Sequence, residues 1–573
     1  MRADEDGAPE LVLGPMLRWV DETRATIWVE TSAPCEVEIL GCRARTFRVG
    51  RRFYALVVVS GLEAGSTTPY EVTLDGRGVW PEADSDAPPS LIRTEGSDRP
   101  ARILIGSCRA AAPHRAPYTK ALAMNPEGRG VDTLWSHARR MMRNDVDLWP
   151  TLVVFAGDQI YADDSSPEAR KRIEARRSES LDLEASKVHD LEEYCWLYQE
   201  AWSSHSERWL LSTVPSAMIF DDHDMIDDWN ISESWLADMD DDPTWRERAI
   251  HGYMTYWIHQ HLGNLSPEQI EEEGLLARLL DVEDGTEILR DWAIRCLDGA
   301  GTPGGEQFSH VRHVGDVTVV TVDCRNGRIL HDGRRLMVQE SEWERITEAA
   351  MESEGDLVFV TSLPLYLSNG IHDLHTWSSR LCAGAWGRSG RRLGERVRRG
   401  LDLEDWPAFP ESYAAFDDLI ATLRRRDTPP RSIVVASGDI HFSYAARVGH
   451  FEGSPGPQVW QIVSSPIRNA LIPHERSAMR FSTTRTGGLV GSVLRRAVRG
   501  PDTRPRIDLV EGPFFANNMC ELSYADGGIT AVFENSTSID DGDEPDLTEV
   551  GRVVIERGGR GGTPAASPSI ASS

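Results

Sequence analysis

Residues 152–161 read Leu152-Val153-Val154-Phe155-Ala156-Gly157-Asp158-Gln159-Ile160-Tyr161, an apolar run followed at once by a glycine, a carboxylate and a phenol. A short apolar run with β-branched members, bounded by a turn signal, reads as a buried strand. The same order recurs along the chain. Ile103-Leu104-Ile105 runs into Gly106-Ser107-Cys108-Arg109, and Ala217-Met218-Ile219-Phe220 into Asp221-Asp222-His223-Asp224. Residues 317–322 lead into Asp323-Cys324-Arg325, and Ser432-Ile433-Val434-Val435 into Gly438-Asp439-Ile440-His441. Residues 459–463 end in Ser464-Ser465-Pro466. One such junction means little, because every strand must end in something polar. Several that carry Cys, Asp, Tyr, His and Arg point to one shared site, since ligands in α/β sheets sit beyond the carboxyl ends of the strands.

The spacings support a shared site. Asp439 and His441 are two apart, so on extended backbone their side chains leave on one side. Asp158 and Tyr161 are three apart and meet if the chain turns helically after the strand. Bringing Asp158, Asp222 and Asp439 together is costly without a cation, because like charges raise one another's pKa. A multivalent metal removes that cost. Thiolate and phenolate donors suit a transition metal and carboxylates a hard cation, so a mixed centre is expected.

Working outward, residues up to about 86 read as all-β. In Arg24-Ala25-Thr26-Ile27-Trp28-Val29-Glu30, Ala25, Ile27 and Val29 alternate with Thr26, Trp28 and Glu30, the period of a strand with one buried face. Ala87-Pro88-Pro89-Ser90 reads as a linker. From residue 101, apolar runs alternate with helical stretches, as in an α/β layered domain. Residues 168–300 read as mostly helical; Leu191, Tyr194, Cys195, Tyr198 and Trp202 form a stripe expected to be core. Two segments are locally basic, Arg388 to Arg399 and Arg476 to Arg506, and are expected to be solvated faces or a surface that attracts anions or headgroups. The Gly/Pro/Ala/Ser-rich residues 557–573 are expected to be disordered.

The net charge of −30, from 61 Lys and Arg against 91 Asp and Glu, argues against general nucleic-acid binding. No apolar stretch approaches the ~20 residues of a membrane span. No secretory signal is visible after the acidic Met1-Arg2-Ala3-Asp4-Glu5-Asp6, so a cytoplasmic location is expected. The eight cysteines lack paired C-x-x-C spacing, which suits reduced thiols.

Gly157-Asp158-Gln159-Ile160-Tyr161, Asp221-Asp222-His223-Asp224 and Gly438-Asp439-Ile440-His441 resemble the ordered blocks of calcineurin-like metallophosphatases. Gly106-Ser107-Cys108, Tyr161, the Asp-Asp-His form, Val322-Asp323-Cys324-Arg325 and the β-rich N-terminus resemble specifically the alkaline phosphatase D (PhoD-like) type, across residues 10–470. The resemblance implies an α/β fold, a metallophosphatase-type β-sandwich flanked by helices, preceded by an all-β, Ig/fibronectin-like domain. The expected division is residues 1–92 for the β domain and 100–556 for the catalytic domain. Insertions are expected at about 168–300, helical, and about 474–506, basic. It further implies that Cys108, Asp158 and Tyr161 hold Fe(3+), with Asp158 bridging to a second metal. Asp222 and Asp439 would serve that second metal, commonly Ca(2+), with Mn, Zn or Mg as alternatives and His441 completing the pocket. His223 would stand beside the leaving group, and Arg109 and Arg325 would grip phosphate oxygens. The chain departs from many metallophosphatases in having Thr361-Ser362-Leu363-Pro364-Leu365 where a His-rich block is common, and Cys108 without an Asp-x-His block. The expected function is metal-dependent hydrolysis of phosphomonoesters or phosphodiesters, on a small-molecule or lipid substrate. The alternative is a non-catalytic binding protein that retains the fold.

Overall fold

The computed structural model describes residues 7–558 apart from 97–98, 178–183, 332, 452, 454, 472, 526 and 538–543. The tail expected from residue 557 lies, from 559 onward, outside the described residues.

The N-terminal region is a β-sandwich. One four-stranded sheet runs Leu11–Val20, Arg24–Thr31, Arg52–Ser60, Phe47–Val49, and the other Cys42–Arg45, Glu36–Ile39, Val72–Leu74, Arg77–Trp80. Ala25, Ile27 and Val29 face the sandwich core with Val37, Val57 and Val72. The alternate residues, expected on a solvated face, are buried too: Thr26, Trp28 and Glu30 are at most 1 % exposed. That face packs on the helical region, where the Trp28 ring lies 5.4 Å from that of His259 at a tilt of 50° and Arg52 pairs with Glu192 at 2.8 Å. The period of two was right about alternation and wrong about water, because a second unit covers the polar-looking face.

Ala87-Pro88-Pro89-Ser90 is likewise no free linker. Trp209 donates its indole N–H to Pro88 O at 2.7 Å, and the Ser90 hydroxyl bonds that of Ser212 at 2.6 Å. These bonds tie the segment to the helix His205–Thr213.

The larger unit is built on two sheets. The six-stranded sheet runs Ser216–Met218, Leu152–Phe155, Arg102–Gly106, Asn518–Ala525, Gly528–Ser536, Leu547–Ile555. The seven-stranded sheet runs His310–Val314, Val317–Val322, Asp356–Thr361, Ser432–Ser437, Val459–Val463, Ser443–Val448, Ile507–Phe514. Between them lies a core of β-branched and small residues, including Ile103, Ile105, Val154, Val319, Val358, Val434 and Ala436. The helices Glu340–Glu352 and Pro410–Arg424 contribute to a second core with the outer face of the seven-stranded sheet, through Ile346, Phe416 and Phe359. The result is an α/β layered sandwich behind an all-β N-terminal unit. Strands carrying the recurrent polar ends run parallel within each sheet: 102–106, 152–155 and 216–218 in one, 317–322, 356–361, 432–437 and 459–463 in the other. All those ends therefore point the same way within their sheet.

Two glycines let the ends converge. A Cβ on Gly157 would lie 2.8 Å from an Asp221 carboxylate oxygen, and one on Gly438 only 2.2 Å from the Ser107 hydroxyl. Neither position has room for a side chain.

The expected helical stripe is present: Leu191–Trp202 is a helix with Tyr194, Cys195, Tyr198 and Trp202 in the core. The stretch 474–506 forms two helices, Pro473–Ser482 and Arg485–Ala497, and Arg388–Arg399 lies within the helix Gly387–Gly400. Arg495, expected on an anion-attracting surface, is buried and pairs with Asp373 at 2.8 Å. No helix among the described residues is long and apolar enough to cross a membrane.

Candidate metal centre

Local backbone, not strand alternation, aims the side chains. Residues 156–166 after Leu152–Phe155 contain no helical turn, so the expected helical step from Asp158 to Tyr161 is replaced by an irregular loop. Asp439 and His441 are not extended either; their φ values are +61° and +54°, and that of Cys108 is +56°. The left-handed region is uncommon for residues with a Cβ and is retained where surroundings over-determine it. Here the surroundings are hydrogen bonds: Asp439 N donates to Ser107 Oγ at 3.1 Å and His441 N to Ser465 Oγ at 3.2 Å. Cys108 Sγ lies 3.3 Å from Ser107 Oγ and 3.4 Å from Ser465 Oγ. Strain at three residues beyond two strand ends is thus held by two serines.

The donors converge. Cys108, Asp158 and Asp439 each offer one atom within 4.8 Å of the others, and so do Asp158, Asp221, Asp222 and Asp439. Asp158 and Asp439 belong to both sets. Asp158 Oδ1 accepts the His223 backbone N–H at 3.2 Å, whereas Asp158 Oδ2 is buried with no hydrogen-bond partner. A buried, orphaned carboxylate oxygen is costly, and a bound cation is one way to satisfy it. Burial and then the charge of Asp221 hold the Asp158 carboxyl well above its usual range. Burial, and after it Asp158, does the same to the Cys108 thiol and the Tyr161 phenol. Without a metal the surroundings favour the protonated forms of these groups; a bound cation favours the ionised ones. The donor set of thiol, phenol and carboxylates fits a metal at this position.

Tyr161 O accepts from Asn469 Nδ2 at 3.0 Å, and its ring lies 4.6 Å from that of His223. His223 Nδ1 bonds Asp163 Oδ1 at 2.8 Å. Burial works against a charged imidazole, but Asp163, then Asp158 and Asp222, outweigh it and raise the His223 pKa well above its ordinary value. His441 is pushed down to about 4 by burial and then by His223, so its imidazole is neutral and able to ligate.

The two arginines differ from expectation. Arg325 is 0 % exposed and reaches no open pocket. Its guanidinium bonds Asp221 at 2.6 Å, Asp222 at 3.1 Å, Asp439 at 3.0 Å and also Glu404. It is a fixed cation among the carboxylates, not a clamp for substrate. One guanidinium against the four carboxylates of Asp158, Asp221, Asp222 and Asp439 leaves an acidic excess for a further cation. Arg109 turns away altogether, to Asp132 at 2.8 Å, Glu207 at 2.9 Å and Ala201 O. Being bound there, it makes the His114, Asp132 and Glu207 cluster a closed ion-pair network.

Sequence reasoning missed Asp221, Asp163, Glu404 and Asn469. Asp221 was visible as the first of a doublet and Asp163 as the second residue past Tyr161. Glu404 and Asn469 follow no motif; only the fold brings them in.

Family models match two parts of the chain: residues 8–92 match a domain of unknown function (DUF7800), and residues 128–272 a PhoD-like phosphatase. Among solved structures, one titled "Structure of PhoD" matches with a TM-score of 0.58 at 11 % identity, covering 97 % of this chain and 92 % of that one. A maltogenic amylase from S. marinus covers 92 % of this chain and 78 % of its own at 10 % identity, but a TM-score of 0.17 carries no argument. No curated protein matches in sequence. The phosphatase match contains Asp158, Tyr161, Asp163, Asp222 and His223, while the likeness to PhoD, at its low identity, extends the fold over the rest of the pocket. Residues 128–272 thus match a PhoD-like phosphatase, and the chain as a whole shares the fold of PhoD.

Proposed function

We propose that the chain hydrolyses phosphomonoesters or phosphodiesters at a mixed metal centre. Cys108, Asp158 and Tyr161 would hold a ferric ion, Asp158 would bridge, and Asp222, Asp439 and His441 would hold a harder divalent cation, Ca(2+) first. The unpartnered Asp158 Oδ2, inside two overlapping clusters of donors, is the observation that carries this reading. When bound, such a centre supplies Lewis acidity toward phosphoryl oxygens and a nucleophile at neutral pH.

The chain's own residues do the rest. His223, part-exposed beside Asp158 and kept protonated by Asp163, offers a proton to the leaving oxygen. Asp163 is a positioning residue: it fixes the imidazole through Nδ1, while Nε2 lies 3.8 Å from the exposed Asp227 carboxylate. Arg325 holds Asp222 and Asp439 in place and offsets part of their mutual repulsion.

Metal analysis of protein purified without added metal tests the reading. About one iron per chain with a harder divalent ion, a visible thiolate or tyrosinate charge-transfer band and turnover abolished by chelation are expected. A colourless, zinc-only protein with full activity overturns the Cys108 and Tyr161 assignment. For Asp163→Asn, kcat falls about 10- to 100-fold, the usual scale for a residue that orients another. KM and metal content stay near wild type. Loss of metal in that variant would make Asp163 part of the metal-binding set instead.

A further inference from the structure

The helix Arg485–Ala497 is inside out. Its face toward the protein carries Gly487, Gly491, Ser492 and Arg495, all buried, while Leu489, Val490 and Val493 point outward at 67 %, 47 % and 64 % exposure. A helix on a globular surface places its apolar stripe against the core and its polar residues in water. This one does the reverse, and glycine makes that possible. A Cβ on Gly491 would lie 2.9 Å from Asp373 Cβ, and one on Gly370 would lie 2.7 Å from Ser482 O. The backbone therefore docks closely on the helix Asn369–Cys382, and Arg495 is secured inside by Asp373 and Asp502. Inward contacts explain the inner face; among the described residues nothing covers the outer one.

Cations frame that apolar stripe. Residues 476–500 contain six arginines and no acidic residue in a chain whose net charge is −30. The helix Gly387–Gly400 also packs on Asn369–Cys382, with Val397 in one apolar cluster with Leu494 and Val498, and Trp386 just before it, 48 % exposed, donates its indole N–H to Ala497 O at 3.3 Å. Arg388, Arg391, Arg392, Arg485, Arg496 and Arg499 are exposed and have no ion-pair partner among the described residues. Phe481, also exposed, extends the apolar surface at the start of the turn between the basic helices. A cavity of about 490 Å³ continues it inward, from Leu489 and Leu509 to Phe442, the residue after His441.

We infer that this face is a docking surface for an anionic lipid bilayer. Aliphatic tips flanked by guanidinium groups, with a tryptophan at the rim, match the boundary between acyl chains and anionic headgroups. A second copy applied through the same face would set arginine against arginine. The acidic remainder of the chain is repelled by an anionic surface, so only this face approaches it. The inference does not depend on the phosphatase reading.

Co-sedimentation of the full chain with vesicles tests it. Wild type is expected to pellet with phosphatidylcholine vesicles containing about one third phosphatidylglycerol, less so as salt rises, and to stay in solution with phosphatidylcholine alone. Leu489→Ser with Val493→Ser, and separately Arg485→Gln with Arg496→Gln and Arg499→Gln, should each weaken partitioning at least ~10-fold while unfolding at the wild-type temperature. These positions are exposed, so folding is not at risk. Equal binding to both vesicle types, or no binding, overturns the inference. So does wild-type partitioning by the Leu489→Ser, Val493→Ser variant. A wild-type dimer that this variant dissociates in light scattering, without vesicle binding, gives the face to a second copy and overturns it too.

Discussion

In an Asp158→Asn variant, phosphoester turnover falls on the order of 10³-fold or more, and the metal content of the purified protein falls with it. Asp158 is the one carboxylate that lies in both donor clusters while keeping a buried oxygen unpartnered. An amide there cannot bridge two cations, because it brings no charge and only one acceptor oxygen. The metal-free protein should respond in the opposite direction. Its buried Asp158 has a pKa raised by burial and by Asp221, so the folded state holds a proton that the unfolded chain releases. That proton costs stability as pH rises above the ordinary carboxylate range, and Asn has none to lose. After chelation, Asp158→Asn is therefore more stable than wild type at neutral pH, and the difference shrinks as pH falls toward the unfolded pKa. Thermal melts of the two chelated proteins across pH check the sign. A variant that retains its metal and about a tenth of wild-type turnover would show that Asp158 does not bridge.

Arg325→Met is expected to destabilise the fold by about 3–5 kcal/mol at neutral pH, the cost of leaving buried charges without their partner. The side chain is wholly enclosed, and four carboxylates depend on it: Asp221, Asp222, Glu404 and Asp439. Methionine has similar reach and no charge, so lost packing contributes little. Removing the cation raises the folded-state pKa of those carboxylates, so the deficit is largest at high pH and narrows as pH falls and they protonate. Denaturant titration of chelated wild type and variant at several pH values measures this directly. A deficit that is small and flat with pH would mean that Arg325 does not neutralise the cluster.

The chain order alone determined a good deal. Apolar runs that end in Cys108, Asp158, Asp222, Arg325 and Asp439 were legible as strands because burial between layers demands unbroken apolar residues, and chemistry must then wait for the strand's end. The same rule brings Cys108, Asp158, Asp222 and Asp439 near one another but misplaces Arg109, which turns to Asp132 and Glu207. What those side chains do on arrival was decided by tertiary structure. Periodicity assumes regular backbone, yet Cys108, Asp439 and His441 sit in the left-handed region, Asp439 secured by Ser107 and the other two by Ser465, each from another segment. An arginine beside acidic motifs reads the same whether it faces a substrate or is sealed among carboxylates. Arg325 and Arg109 were settled by partners up to about a hundred residues away in the chain, Asp221 and Glu207 among them. Likewise the apolar residues of Arg485–Ala497 look like core in one dimension. Only the glycine-lined contact with Asn369–Cys382 turns them outward, because a helix shows one face to its neighbour and the sequence does not say which.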